Sequence, residues 1–229
     1  MPQMSETNFE NSKLNAVVCL NRQSPAICHL CGSDNALRKL ILHIGDITYY
    51  LNYDSLKFLV DTIIGQMLSN KVADVLSNRL LILCNGDITI DSLKQLSIAD
   101  FRGIGLSTRK AECIQGLIEH VKNHPGFFDK LQNKVDNDVL HELIKLRGIG
   151  SWSAKMFLIF VLDRPDILPY EDGAFLQAFN WLYPSSKLTK DSIIMICERW
   201  RPYSSIASRY LYIALDSGLT KHPFVELRE

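Results

Sequence analysis

Leu146-Arg147-Gly148-Ile149-Gly150-Ser151-Trp152-Ser153-Ala154 is the stretch on which the reading of this chain turns. Upstream, Val139, Leu140, Leu143, Ile144 and Leu146 are spaced for a helix over 137–147. Downstream, 151–162 is apolar almost all round, the pattern of a central helix. Between them two glycines flank one apolar residue. Glycine permits positive φ and close backbone approach, and Ile149 is placed to plug a core and pin the turn. The amides of Gly148, Gly150 and Ser151 then point outward together, making an anion site that needs no net charge. A plain helix-turn-helix packing joint explains Gly-x-Gly as well, so both readings stay open on the string alone. Lys145, Arg147 and Lys155 are near enough in sequence to add phosphate contacts.

Outward from this hairpin the pattern stays helical. Leu37, Leu40, Ile41 and Ile44 recur at helical spacing until Gly45 stops them, and Leu56, Leu59, Val60, Ile63, Ile64 and Met67 form one side of a helix over 55–68. Further helices are predicted over 70–80, 92–98, 109–121, 172–182, 190–199 and 202–216. Ile88-Thr89-Ile90 alternates but is too short for a strand hairpin. The fold class is therefore all-α. Arg102-Gly103-Ile104-Gly105 echoes Arg147-Gly148-Ile149-Gly150, which reads as two helix-ending glycine turns rather than a solenoid repeat.

Composition narrows the function classes. With 25 basic and 25 acidic residues the chain has no net charge, so no global field attracts nucleic acid. Charge alone fits an enzyme of small molecules, and any DNA binding must come from a local patch or from backbone donors. The six cysteines are scattered. Only Cys28 and Cys31 are close, too few for a zinc knuckle or an iron–sulfur cluster, so they read as free thiols in a reducing compartment. Residues 1–13 are polar and acidic, unlike a secretory signal, and the longest apolar run, 156–162, is too short to span a bilayer. A cytoplasmic protein with no membrane partner is expected.

The nine-residue string resembles the helix-hairpin-helix signature of DNA repair glycosylases, with Arg147 where that family usually has proline. After it come an apolar helix, Met156-Phe157-Leu158-Ile159-Phe160, and the turn Arg164-Pro165-Asp166-Ile167-Leu168-Pro169-Tyr170-Glu171-Asp172. These look like the bacterial 3-methyladenine DNA glycosylase II branch, where a Pro-x-x-Asp element carries the catalytic acid. Ile63-Ile64-Gly65-Gln66, Gly105-Leu106-Ser107-Thr108-Arg109-Lys110-Ala111-Glu112 and Glu198-Arg199-Trp200-Arg201-Pro202-Tyr203 resemble that branch in the same order.

The resemblance implies two helical lobes flanking a DNA-binding cleft. A flexible segment, 1–27, would precede a terminal lobe of 28–54 with 165–229 and a central lobe of 55–164. It implies a monofunctional glycosylase acting as a monomer on damaged double-stranded DNA in the bacterial cytoplasm, at the nucleoid, and releasing alkylated purines of the 3-methyladenine and 7-methylguanine type.

Asp172 would stabilise the positive charge that builds on the sugar as the glycosidic bond breaks. As a bare feature it is equally an N-cap, and the two roles are compatible. Glu171 is the neighbouring alternative. Related lyases place a nucleophilic lysine where Trp152 stands, and an indole forms no Schiff base, so water is the expected nucleophile. Trp152, Tyr212, Met156 and Gln66 would line the lesion pocket, with the aromatics stacking on a cationic base. Packing explains Tyr212 as readily. Met156 and Gly173 stand where the family prototype has aromatics, which implies a roomier pocket. Met67 matches the wedge that fills the gap left by the flipped base, though such a methionine is also ordinary core material. Gly148, Ile149, Gly150, Ser151, Arg147 and Lys155 would hold DNA. No metal is called for beyond a monovalent cation that hairpin carbonyls hold in relatives. The alternatives are a glycosylase for another damaged base and a non-catalytic helix-hairpin-helix DNA-binding module.

Overall fold

In the computed structural model, which describes residues 17–51, 54–184 and 189–224, helices dominate and one short strand pair accompanies them. The described residues divide into two compact units, one made of 17–51 together with those from Asp163 onward, the other of 54–162.

The first unit begins with β1 (Val17–Leu20), α1 (Pro25–Ser33), α2 (Asn35–Ile44) and β2 (Ile47–Tyr50). β1 and β2 pair antiparallel, Val17 opposite Tyr50 and Leu20 opposite Ile47. Helices otherwise make up the fold, as the all-α expectation had it, and β1 falls within the segment 1–27 that was expected to be flexible. Residues 1–16 of that segment lie outside the described residues. Pairing gives the backbone donors and acceptors of Val17–Leu20 partners they lack as free chain. Asp34 caps α2, accepting from the amides of Ala36 (2.9 Å) and Leu37 (3.0 Å).

The second unit is built from α3 (Ser55–Gly65), α4 (Asn70–Leu83), α5 (Ile90–Leu93), α6 (Ile98–Gly103), α7 (Thr108–Asn123), α8 (Phe127–Gln132), α9 (Asp136–Ile144) and α10 (Ser151–Phe160). Side-chain caps set several starts: Asp54 for α3, Thr89 for α5, Ser97 for α6 and Ser107 for α7. Thr89 and Ile90 thus open a helix instead of forming a strand. α10 is buried on nearly every side, with Ala154, Phe157, Leu158 and Ile159 fully enclosed, and α3 and α9 both pack on it. The two Arg-Gly-Ile-Gly motifs differ in geometry. The residue at positive φ is the second glycine of the first, Gly105 (+103°), but the first glycine of the second, Gly148 (+87°), so they are not a structural repeat.

The chain then returns to the first unit with α11 (Gly173–Leu182), α12 (Lys190–Cys197), a 3₁₀ turn at Glu198–Trp200 and α13 (Ser204–Asp216). α13 packs on α11 and α2. The core here is aromatic: Phe175, Phe179 and Trp200 are fully buried, and their rings meet at 5.6–6.3 Å between centroids. Such pairs add about 0.5–1.5 kcal/mol each beyond the area they bury.

Candidate functional site

The turn between α9 and α10 exposes Arg147 and Gly150 and buries Ile149, which is 3% exposed. The Ile149 amide donates back to the Leu146 carbonyl at 3.0 Å, closing the turn. Gly148 is required twice over. Its φ of +87° suits only glycine, and a Cβ there would stand 2.5 Å from Cys113 Sγ and 2.8 Å from Cys113 Cβ on α7. Gly150 is the N-cap of α10, and its lack of a side chain leaves the helix start without a side-chain cap. The first-turn amides of an α-helix have no partners within the helix, and together with the positive end of its dipole they suit an anion. Where the family has proline, Arg147 instead pairs with Glu112 of α7 at 2.7 Å, tying the turn down by an exposed ion pair.

The turn that follows α3 lies in the same unit. Met67 takes a left-handed conformation, φ +59°, and its side chain is wholly exposed at 101%. An exposed methionine at a strained backbone position gains nothing from packing, so the core reading of Met67 is set aside. Gln66 beside it does something the sequence did not indicate. Its side-chain amide donates to the Gly148 carbonyl at 2.8 Å and to Ser153 Oγ at 3.3 Å, joining the Met67 turn to the hairpin.

Lys110 of α7 also reaches this turn, its ammonium donating to the Ile64 carbonyl at 2.7 Å and the Gln66 carbonyl at 2.9 Å. Burial lowers its pKa. On α10, Trp152 is half-buried and Met156, one helical turn on, is buried. Lys155 departs from its expected place. It is only 8% exposed, because α10 packs on nearly all its faces, so it does not stand at the surface of the turn with Arg147.

In the first unit Asp172 sits at the start of α11. A turn closed by its own amide on the Pro169 carbonyl (2.9 Å) leads into it. Its Oδ1 accepts from the Phe175 amide at 2.7 Å, an N-cap in geometry. The residue is 8% exposed, whereas Glu171 is exposed.

Tyr212 of α13 lies against this carboxylate. Burial pushes the phenol well above its ordinary pKa, and the charge and hydrogen bonding of Asp172 push it the same way, while Arg209 opposes them. The phenol therefore keeps its proton beside the Asp172 carboxylate. The sequence reading assigned Tyr212 to a pocket wall and did not foresee this pairing, which joins residues on two helices that share no local pattern. Nearby in the same unit, buried Arg209 pairs with Asp163 at 3.1 Å and stacks on the Tyr49 ring at 3.8 Å, and the Tyr49 hydroxyl donates to Asp163 at 3.1 Å.

Among the described residues no group of three or more histidine, cysteine or acidic side chains is placed to hold a metal ion, and the described cysteines are free thiols. At the hairpin, the carbonyls of Leu146 and Gly148 already accept from Ile149 and Gln66. No helix among the described residues is long and apolar enough to cross a membrane.

Residues 60–202 match the family described as HhH-GPD superfamily base excision DNA repair protein. A Bacillus subtilis protein named putative DNA-3-methyladenine glycosylase YfjP is 30% identical over 127 residues, covering 55% of this chain but 44% of its own length. The DNA-3-methyladenine glycosylase 1 of Schizosaccharomyces pombe is 23% identical over 191 residues, 80% of this chain and 84% of the relative. The chain thus spans less than half of the first relative and most of the second. Among solved structures, the DNA-3-methyladenine glycosidase of Bacillus halodurans superposes with a TM-score of 0.79 at 27% identity, over 92% of this chain and 98% of that one. Schizosaccharomyces pombe Mag1, solved in complex with abasic DNA, gives a TM-score of 0.74 at 23% identity over 84% and 97%, a likeness of fold.

Proposed function

Since the chain belongs to the HhH-GPD superfamily of base excision DNA repair proteins, we propose that it is a monofunctional DNA glycosylase that hydrolyses the N-glycosidic bond of alkylated purines flipped out of duplex DNA. The observation that carries this reading is Asp172, a buried carboxylate held by the Phe175 amide and facing the protonated phenol of Tyr212. As the bond breaks, the base leaves with its electron pair and positive charge builds on the sugar. A fixed carboxylate stabilises that charge and orients the water whose oxygen bonds to the anomeric carbon, the displaced proton passing to solvent through the carboxylate. Alkylated purines of the 3-methyladenine and 7-methylguanine type are cationic leaving groups, so no second acid is needed. This suits a site in which Glu171 faces solvent.

The hairpin supplies the grip on DNA. Amides of Gly148, Gly150 and Ser151 take a backbone phosphate, and Arg147 adds a charge from its exposed position. Met67 fills the gap left by the flipped nucleotide. Trp152 stacks on the cationic base. The protein works as a monomer on damaged duplex DNA in the cytoplasm.

The test is incubation with methylated duplex DNA, followed by chromatography of released bases and gel analysis of the strand. Free 3-methyladenine or 7-methylguanine with an intact strand until alkali is added is the expected result. Base release with spontaneous strand cleavage and a borohydride-trappable adduct would mean a lysine-based lyase. Binding without any release from a panel of damaged bases would reduce the chain to a DNA-binding module.

A further inference from the structure

We propose that Lys110 is a positioning residue for strand insertion, its ammonium locking the end of α3 so that Met67 is thrust outward at a fixed angle; this rests on reading Met67 as the wedge. α3 ends at Gly65, and Gln66 leaves the helix at φ −52°, ψ +127°. The last carbonyls of a helix have no partners within it and form the negative end of its dipole. α3 has no basic residue in its own last turn to answer them. Lys110 does so from another helix. It takes the carbonyl of Ile64, inside α3, and that of Gln66, the first residue beyond it, at 2.7 and 2.9 Å. One ammonium thus grips both sides of the point where the chain leaves the helix.

The next residue needs that grip. Met67 has a left-handed backbone that a side-chain-bearing residue adopts only when its surroundings hold it there. Its own side chain touches too little to do so, being fully exposed. What holds the turn is the Leu68 amide on the Gly65 carbonyl (3.1 Å), the Gln66 side chain on the hairpin, and Lys110. The same helix that carries Lys110 also carries Glu112, paired with Arg147, and Cys113, against which Gly148 packs. α7 therefore braces the wedge turn and the phosphate-binding turn from one rigid element, which fixes their spacing within this unit.

Lys110→Met keeps the length and loses the donors; Lys110→Arg keeps a charge that reaches carbonyls. Wild type and both variants are bound to duplexes carrying an abasic-site analogue opposite 2-aminopurine, whose fluorescence rises when the base is unstacked. Single-turnover base release is then measured on methylated duplex and on methylated single strands, with melting temperature as the control for folding. The expected result is a folded Lys110→Met protein with the fluorescence rise reduced about fivefold or more and duplex excision slowed about tenfold. Single-strand excision should stay near wild type, and Lys110→Arg should recover most of the duplex activity. Wild-type fluorescence in Lys110→Met, an equal loss on duplex and single strands, or no fluorescence rise in wild type itself would each overturn the role. A fluorescence rise that depends on Lys110 without base release from either substrate would uphold it while refuting the glycosylase reading.

Discussion

The two units hold their functional groups by opposite means. Of the eight buried polar or charged residues among those described, six belong to the first unit: Asp34, Asp172, Ser204, Ser205, Ser208 and Arg209. That unit fixes side-chain charge by surrounding it with donors. Asp34 accepts from two amides, the Tyr183 hydroxyl (2.6 Å) and the Trp200 indole (3.1 Å), and Asp172 from an amide with a phenol beside it. The second unit fixes backbone instead. Its core is largely aliphatic, its glycine turns lie at the surface, and three residues of α7 brace two of those turns. Reaction chemistry needs a carboxylate that cannot move, whereas phosphate binding needs amides that are presented and left uncovered. The split in physical means follows the split in proposed tasks.

The comparison predicts where substitutions hurt most. Asp34→Ala removes a buried acceptor from four donors at once and should cost the first unit about 3–5 kcal/mol, read from urea unfolding. A loss under about 1 kcal/mol would mean the unit does not depend on its buried carboxylates. Gly148→Ala, with its positive φ and a Cβ 2.5 Å from Cys113 Sγ, should cost about 2–4 kcal/mol, while Gly150→Ala, whose Cβ meets nothing within 4 Å, should stay within about 0.5 kcal/mol. Equal effects at the two glycines would contradict the view that only the first is a packing site.

Alkaline pH should separate the units. Burial above all pushes Tyr49 and Tyr210 up to about 12 from 10.0, and Tyr183 and Tyr212 are raised as well. A phenol whose pKa is raised on folding contributes stability that is fully present below its unfolded value and is lost as pH climbs through the folded one. The first unit should therefore loosen between about pH 10 and 12, seen as tyrosinate absorbance rising together with loss of amide protection there. The second unit has no tyrosine among its described residues and should keep its protection longer. Simultaneous loss in both would show that the units do not respond separately. The smallest effect is expected at Arg147→Ala, where loss of the exposed pair with Glu112 should cost under about 1 kcal/mol, with a measurable fall in DNA affinity at low salt.

Legibility in the sequence follows the same division. The hairpin could be read because its determinants are adjacent: helical periodicity on both sides, two glycines and one apolar plug. Asp172 could be placed at a helix start because the Pro169 turn and the apolar spacing of Phe175 and Phe179 adjoin it. What escaped was long-range. Tyr212 meets Asp172, and Lys110 meets Ile64 and Gln66, across spacings that no periodicity encodes. Lys155 looked like a surface charge beside a turn, but the helix carrying it is enclosed nearly all round. The strands Val17–Leu20 and Ile47–Tyr50 are four residues each with two helices between them, so neither the alternation nor the tight turn that signals a hairpin was there to see.

The most direct measurement is single-turnover release of methylated bases by wild type and Asp172→Asn under saturating protein. Asparagine still caps a helix, so the variant should fold, bind methylated duplex with near-wild-type affinity and lose only the charge. Base release should then fall by about 100-fold or more. Release within a few-fold of wild type, with folding and binding intact, would show that the carboxylate of Asp172 is a helix cap and that the chemistry lies elsewhere.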